Sequence, residues 1–115
     1  MKEANLILKI IKQRTAEDPI PRPSLLWELQ MSGFVINDRR MRRIIEGLRK
    51  TPAGAMISTS AKGGYFWAEN RAQMDAALVR DERRFKRLAK RIYMQRRNAG
   101  LDCAPELLAI VGGEA

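Results

Sequence analysis

The stretch Asn37-Asp-Arg-Arg-Met-Arg-Arg-Ile-Ile-Glu-Gly-Leu-Arg-Lys50, followed closely by Met56-Ile-Ser-Thr-Ser-Ala-Lys-Gly-Gly-Tyr-Phe-Trp67, decides how this chain folds. In the first part, Met41, Ile44, Ile45 and Leu48 recur at i, i+3, i+4 and i+7, the spacing of one buried helix face. A helical turn of about 100° per residue then sets Arg39, Arg43 and Lys50 on the opposite, solvent side. In the second part, residues 56–59 and 65–68 flank Ser60-Ala-Lys-Gly-Gly64, whose glycines accept positive φ, and the pattern predicts a hairpin. A cationic helix beside a short basic ribbon offers two prongs, one for a groove and one for the phosphate flank of a duplex.

Working outward, residues 4–14 show helical spacing at Ile7, Ile10, Ile11 and Arg14, with Lys9, Lys12 and Gln13 facing away. The three prolines in Glu17-Asp-Pro-Ile-Pro-Arg-Pro23 forbid regular structure there, and Pro23 with Ser24 opens a second helix. Gly33 supplies a left-handed residue to end it. Phe34-Val-Ile36 bridges to Asn37, a good N-cap for the third helix, and Asp38 complements that helix's positive end. The order is helix, tight turn, helix, with Thr51-Pro-Ala-Gly54 stopping the third. Strand alternation places Tyr65 and Trp67 on one core-facing side and leaves Phe66 outward or against a later helix.

From 71 to 98 no proline or glycine interrupts a helix. Met74, Leu78, Phe85, Leu88 and Ile92 follow the rhythm of a coiled-coil seam, with Asp81 at one seam position. That stripe either packs on the chain's own core or, through Leu78, Phe85, Leu88 and Ile92, joins two copies in a homodimer. Arg83, Arg84, Lys86, Arg87, Lys90, Arg91, Arg96 and Arg97 follow Glu82 with no acid between them, forming either a phosphate-contacting or simply a solvated face. The tail from Ala104 holds an apolar run suited to a helical turn that docks on the core or on a second subunit. The expected organisation is therefore a domain over 1–69 and a basic helix and tail over 70–115.

A chain of 115 residues with 45% apolar content supports one compact domain and an appendage. Twenty-two Lys and Arg against 13 Asp and Glu give a net charge of +9, which favours a polyanionic partner. No window is long and apolar enough to span a bilayer, and Lys9 interrupts the N-terminal apolar run. The expectation is a cytoplasmic protein with no membrane partner. One cysteine, Cys103, and no histidine remove an internal disulfide and the usual zinc, haem and Cys/His constellations, so no cofactor or metal is expected.

The helix 2 apolar set Leu25, Leu26 and Leu29, the turn at Gly33, the pattern from Arg39 to Leu48 and Lys62-Gly-Gly-Tyr65 together resemble the winged helix-turn-helix domains. The likeness is particularly to the compact bacterial type at the front of the biotin operon repressor and covers about residues 4–68. The resemblance implies a mainly α fold with a small β-hairpin wing. It also implies double-stranded DNA binding, with helix 3 in the major groove and the wing on the backbone or minor groove. Unlike in the full-length biotin repressor, no effector or catalytic domain is expected. The small, very basic architecture is similar to accessory DNA-binding proteins of phages and mobile elements.

On that reading Arg39 and Arg43 reach guanine O6 and N7 or clamp a phosphate, while Arg40, Arg42 and Lys50 serve the flanks. Glu46 accepts from cytosine N4 or pairs with Arg43. Ser60 and Lys62 lie at the wing, and Arg83, Arg84 and Arg87 extend the contact along the last helix. The expected function is transcriptional regulation or assistance to phage replication or recombination. The alternative is an interaction adaptor recruited to a nucleoprotein complex. With no Gly-rich phosphate loop, Ser-centred elbow or carboxylate cluster at ligand spacing, no enzyme site can be constructed.

Overall fold

The structure, a computed structural model, describes residues 2–112. It is mainly helical, with one two-stranded antiparallel hairpin, and divides into two compact units, Met1–Met74 and Asp75–Ala115.

In the first unit, α1 (Lys2–Lys12), α2 (Arg22–Met31) and α3 (Asp38–Arg49) pack pairwise. Ile7, Ile11, Leu25, Leu29, Met41 and Ile45, all without solvent exposure, form their common core. At roughly 25 cal/mol per Å2 of apolar surface removed from water, these side chains dominate the unit's stability. Helix α1 starts and stops two residues earlier than the spacing predicts, and at its end Arg14 leaves the helix. Its carbonyl instead accepts from the Trp67 amide at 3.1 Å. Helix α2 begins at Arg22, one residue ahead of Pro23, since a proline in the first turn has no amide to lose.

The turn between α2 and α3 is closed on both sides. Gly33, at φ +94°, donates to Gln30 O, and Phe34 donates to Leu29 O, the paired bonds that end a helix through a left-handed residue. The Gln30 side chain donates to Ile36 O at 3.1 Å and braces the outgoing chain. Asn37 then caps α3, its Oδ1 accepting from the Arg40 amide at 2.8 Å.

After a 3-10 turn at Pro52–Gly54, β1 (Ile57–Thr59) pairs with β2 (Tyr65–Trp67), Ser58 opposite Phe66. The proline-rich segment does contribute structure: Ile20 donates to Tyr65 O at 2.8 Å and accepts from Tyr65 N at 2.9 Å, a single antiparallel rung on the free edge of β2. Gly64 permits this approach, because a Cβ there would lie 3.1 Å from Ile20 O. Phe66 does not face outward. It is buried at 5% exposure on the side where its partner Ser58 donates to Met74 Sδ, so the last residues of this unit cover that face. Trp67 is only half-buried and carries Lys12 Nζ 5.2 Å from its ring centroid.

Helix α4 (Arg71–Asn98) runs out of the first unit into the second. Asn70 starts it by accepting from the Gln73 amide at 2.9 Å, and Gly100, at φ +73°, ends it. Helix α5 (Pro105–Gly112) realises the apolar tail, whose residues 113–115 lie outside the described part. It half-buries Leu107, Ile110 and Val111 and buries none fully.

Candidate nucleic-acid interface

Burial of Met41 and Ile45 fixes the rotation of α3 and turns its cations outward. Those cations divide into two groups. Arg40 reaches Glu3 at 3.4 Å, Arg42 reaches Asp38 at 3.0 Å and Arg49 reaches Glu46 at 3.0 Å. Among the described residues, Arg39, Arg43 and Lys50 form no ion pair. These three, with Arg42, Glu46 and Gly47, line an open depression of about 550 Å3 along the outer face of α3. Gly47 contributes no side chain to it, and nothing approaches within 4 Å of where a Cβ would stand. The Arg40 and Arg42 side chains are themselves about half exposed, so these pairs hold their cations weakly and exchange readily for a phosphate.

Arg49 behaves differently. Its guanidinium donates to Thr59 Oγ1 at 2.6 Å and to Ile57 O at 3.4 Å while holding Glu46. It therefore bolts the end of α3 to β1 and sets the hairpin beside the helix. Glu46 consequently pairs with Arg49 and not with Arg43, the partner considered from the sequence.

The hairpin loop is shaped by Ser60. Its amide donates to Gly64 O at 2.7 Å, its carbonyl accepts from Gly63 N at 2.9 Å and its Oγ accepts from Gly64 N at 3.0 Å. The hydroxyl is thereby engaged in shaping the loop. Lys62 stands exposed at the tip. Between the loop and the start of α2 lies a second recess, about 300 Å3, lined by Pro19, Pro21, Arg22, Pro23, Lys62 and the loop glycines. Arg22 is a site residue that sequence reading missed, and its signal was its place between two prolines at a helix start. It holds Asp38 Oδ1 at 3.1 Å while Arg42 holds Oδ2, so one carboxylate ties the start of α2 to the start of α3.

Tyr65 lies within the field of these groups. Burial pushes its phenol above the ordinary value of 10.0, and Arg49 and then Arg22 pull the other way. The phenol is therefore neutral near pH 7 and adds no negative charge to the surface.

Arg83, Arg84 and Arg87 lie exposed on α4 in the second unit, with Arg80 and Arg91 on the same side of the helix. The first unit thus gathers Arg39, Arg42, Arg43, Glu46 and Lys50 in one depression and Lys62 beside another. The three α4 arginines belong to a separate compact unit. Among the described residues there is no group of three His, Cys, Asp or Glu side chains able to hold a metal ion, and no helix is long and apolar enough to cross a membrane.

Compared with known proteins, the chain matches no family model, no curated protein and no solved structure.

Proposed function

We propose that this chain binds double-stranded DNA as a winged helix-turn-helix protein, with α3 in the major groove and the hairpin as a wing on the adjacent backbone. Transcriptional control or an accessory role in phage replication or recombination is the biological setting this reading favours. One observation carries it: Arg39, Arg43 and Lys50, the α3 cations without an acidic partner among the described residues, share the outward stripe of a helix whose inner stripe is locked into a core. Unpaired guanidinium groups on a rigid, exposed helix can meet guanine O6 and N7 bidentately without first breaking an ion pair. Lys62 and Arg22 flank the recess by the loop and suit phosphate contacts, which hold register without reading sequence.

The test is binding of the full chain to a duplex selected from a random pool. Arg39→Ala with Arg43→Ala should leave the thermal melt in place and weaken binding to the selected site by ~1–3 kcal/mol for each arginine that grips a guanine bidentately. Unchanged affinity in the folded double variant removes α3 from the recognition role.

A second reading, as a protein-binding adaptor, has its own observation. Trp27 and Met31, one turn apart on α2, are 60% and 68% exposed, and Val35, beyond the turn at Gly33, is 96% exposed. Exposed apolar side chains of this size mark a protein contact where they gather in one patch. Weak duplex binding with little dependence on salt would favour the adaptor over the DNA reading, because each phosphate neutralised contributes about −0.9 to the log–log salt slope.

A further inference from the structure

The second unit carries its own unpartnered surface. On one side of α4, Leu78, Phe85 and Leu88 are 46%, 56% and 47% exposed, continuing into half-buried Ile92. The opposite side is basic, with Arg80, Arg84, Arg87 and Arg91 at helical spacing. Two charges sit within or beside the apolar stripe, Asp81 near one end and Arg96 near the other; Arg96 Nη1 donates to Asp102 O at 2.9 Å, and no ion pair to either charge exists among the described residues.

We infer that this stripe is covered by the same stripe of a second copy, and that the two α4 helices run antiparallel about a two-fold axis near Leu88. Charge decides both the occupant and the direction. Asp81 and Arg96 are equidistant from a point between Leu88 and Ala89, so reversing the partner brings each acid of the pair to the other helix's arginine and Phe85 toward Ile92. The same face is thus its own complement, which is what a two-fold interface requires. A parallel pair would instead set Asp81 against Asp81.

The rest of the helix agrees. Over 71–84, Arg71, Arg80, Arg83 and Arg84 are offset by Asp75, Asp81 and Glu82, whereas over 85–98 Lys86, Arg87, Lys90, Arg91, Arg96 and Arg97 meet no acid. Parallel pairing lays the uncompensated halves side by side. Antiparallel pairing lays each against the nearly neutral half and opposes the helix dipoles favourably. The inference concerns the second unit alone and stands independently of duplex binding.

Sedimentation of the full chain over a concentration series, with circular dichroism as the check on folding, tests it. Wild type should dimerise. Asp81→Arg should raise the dimer Kd about tenfold or more by facing two arginines. Asp81→Arg combined with Arg96→Asp should return the Kd to within about threefold of wild type, the signature of a direct pair.

Direction is read separately in a Cys103→Ser background. Leu88→Cys should form an intermolecular disulfide, and Leu78→Cys should not, because an antiparallel pair separates the two copies of residue 78 by about 30 Å along the axis. These exposed positions tolerate cysteine without loss of the fold. A monomeric wild type, a dimer indifferent to Asp81→Arg, a charge swap that fails to restore the folded pair, or a disulfide at Leu78→Cys overturns the inference.

Discussion

The two units of this chain solve the same problem, what to do with a helix's apolar face, in opposite ways. In the first, the stripes of α1, α2 and α3 meet one another, and Ile7, Ile11, Leu25, Leu29, Met41 and Ile45 are wholly shielded from water. In the second, one long helix keeps Leu78, Phe85 and Leu88 about half exposed, and α5 buries no residue completely. The contrast teaches that amphipathic spacing specifies a face but not its occupant. Three short helices joined by tight turns can close on themselves, whereas a helix of 28 residues followed by one of eight cannot cover its whole length.

The largest test of this contrast compares equivalent truncations in dilute protein. Ile45→Ala should cost the first unit ~2–5 kcal/mol in denaturant unfolding, from the reduced transfer energy and the cavity left behind. Phe85→Ala should leave that transition within about 0.5 kcal/mol, as exposed positions do. A comparable loss from Phe85→Ala would mean that the α4 stripe stabilises the first unit, and the contrast would fail.

Next in size is the cap. Asn37→Ala removes the acceptor for the Arg40 amide and should destabilise by about 1 kcal/mol in the same assay, with Asn37→Asp restoring most of it.

A pH series sharpens the picture of the core near the hairpin. The folded chain holds the Tyr65 proton more tightly than the unfolded chain, whose phenol titrates near 10. This contribution is fully present below pH 10 and is lost as pH rises from there through the elevated folded value. Tyr65→Phe should flatten that part of the unfolding profile; an unchanged profile would show that the phenol is not held in its neutral form by burial.

The smallest effect belongs to the loop. Lys62→Ala should weaken all duplexes about equally and reduce the salt slope by about one. Loss of preference at a single base position would make the loop a reader of sequence.

Much of this arrangement was legible in the residues. The α3 stripe, the Asn37 cap, the left-handed Gly33, the hairpin and both limits of α4 follow from local periodicity and local hydrogen bonds, which sequence spacing encodes directly. What escaped was set by partners distant in the chain. Ile20 finds Tyr65 45 positions later, and Arg14 leaves its helix to meet Trp67. Phe66, by contrast, takes one of the two placements that strand alternation left open, buried on the side where Met74 of the long helix lies. The cationic site was readable as a stripe, but not its division into paired and free members. That division depends on which carboxylates long arginine side chains can reach: Glu3 for Arg40, Asp38 for Arg42, Glu46 for Arg49.

The single rung at Ile20 has a consequence for how this protein behaves when crowded. A two-stranded hairpin presents two open edges, each a template on which another chain can add a strand and begin to aggregate. Ile20 fills the edge of β2, and because Pro19 and Pro21 on either side have no amide to donate, the segment that fills it offers little continuous edge of its own. On the other side, Arg49 engages the Ile57 carbonyl and adds a charge beside β1. The hairpin that carries Lys62 at its tip is thus kept from becoming a nucleus of fibrillar assembly, and replacing both prolines by threonine would remove part of that protection.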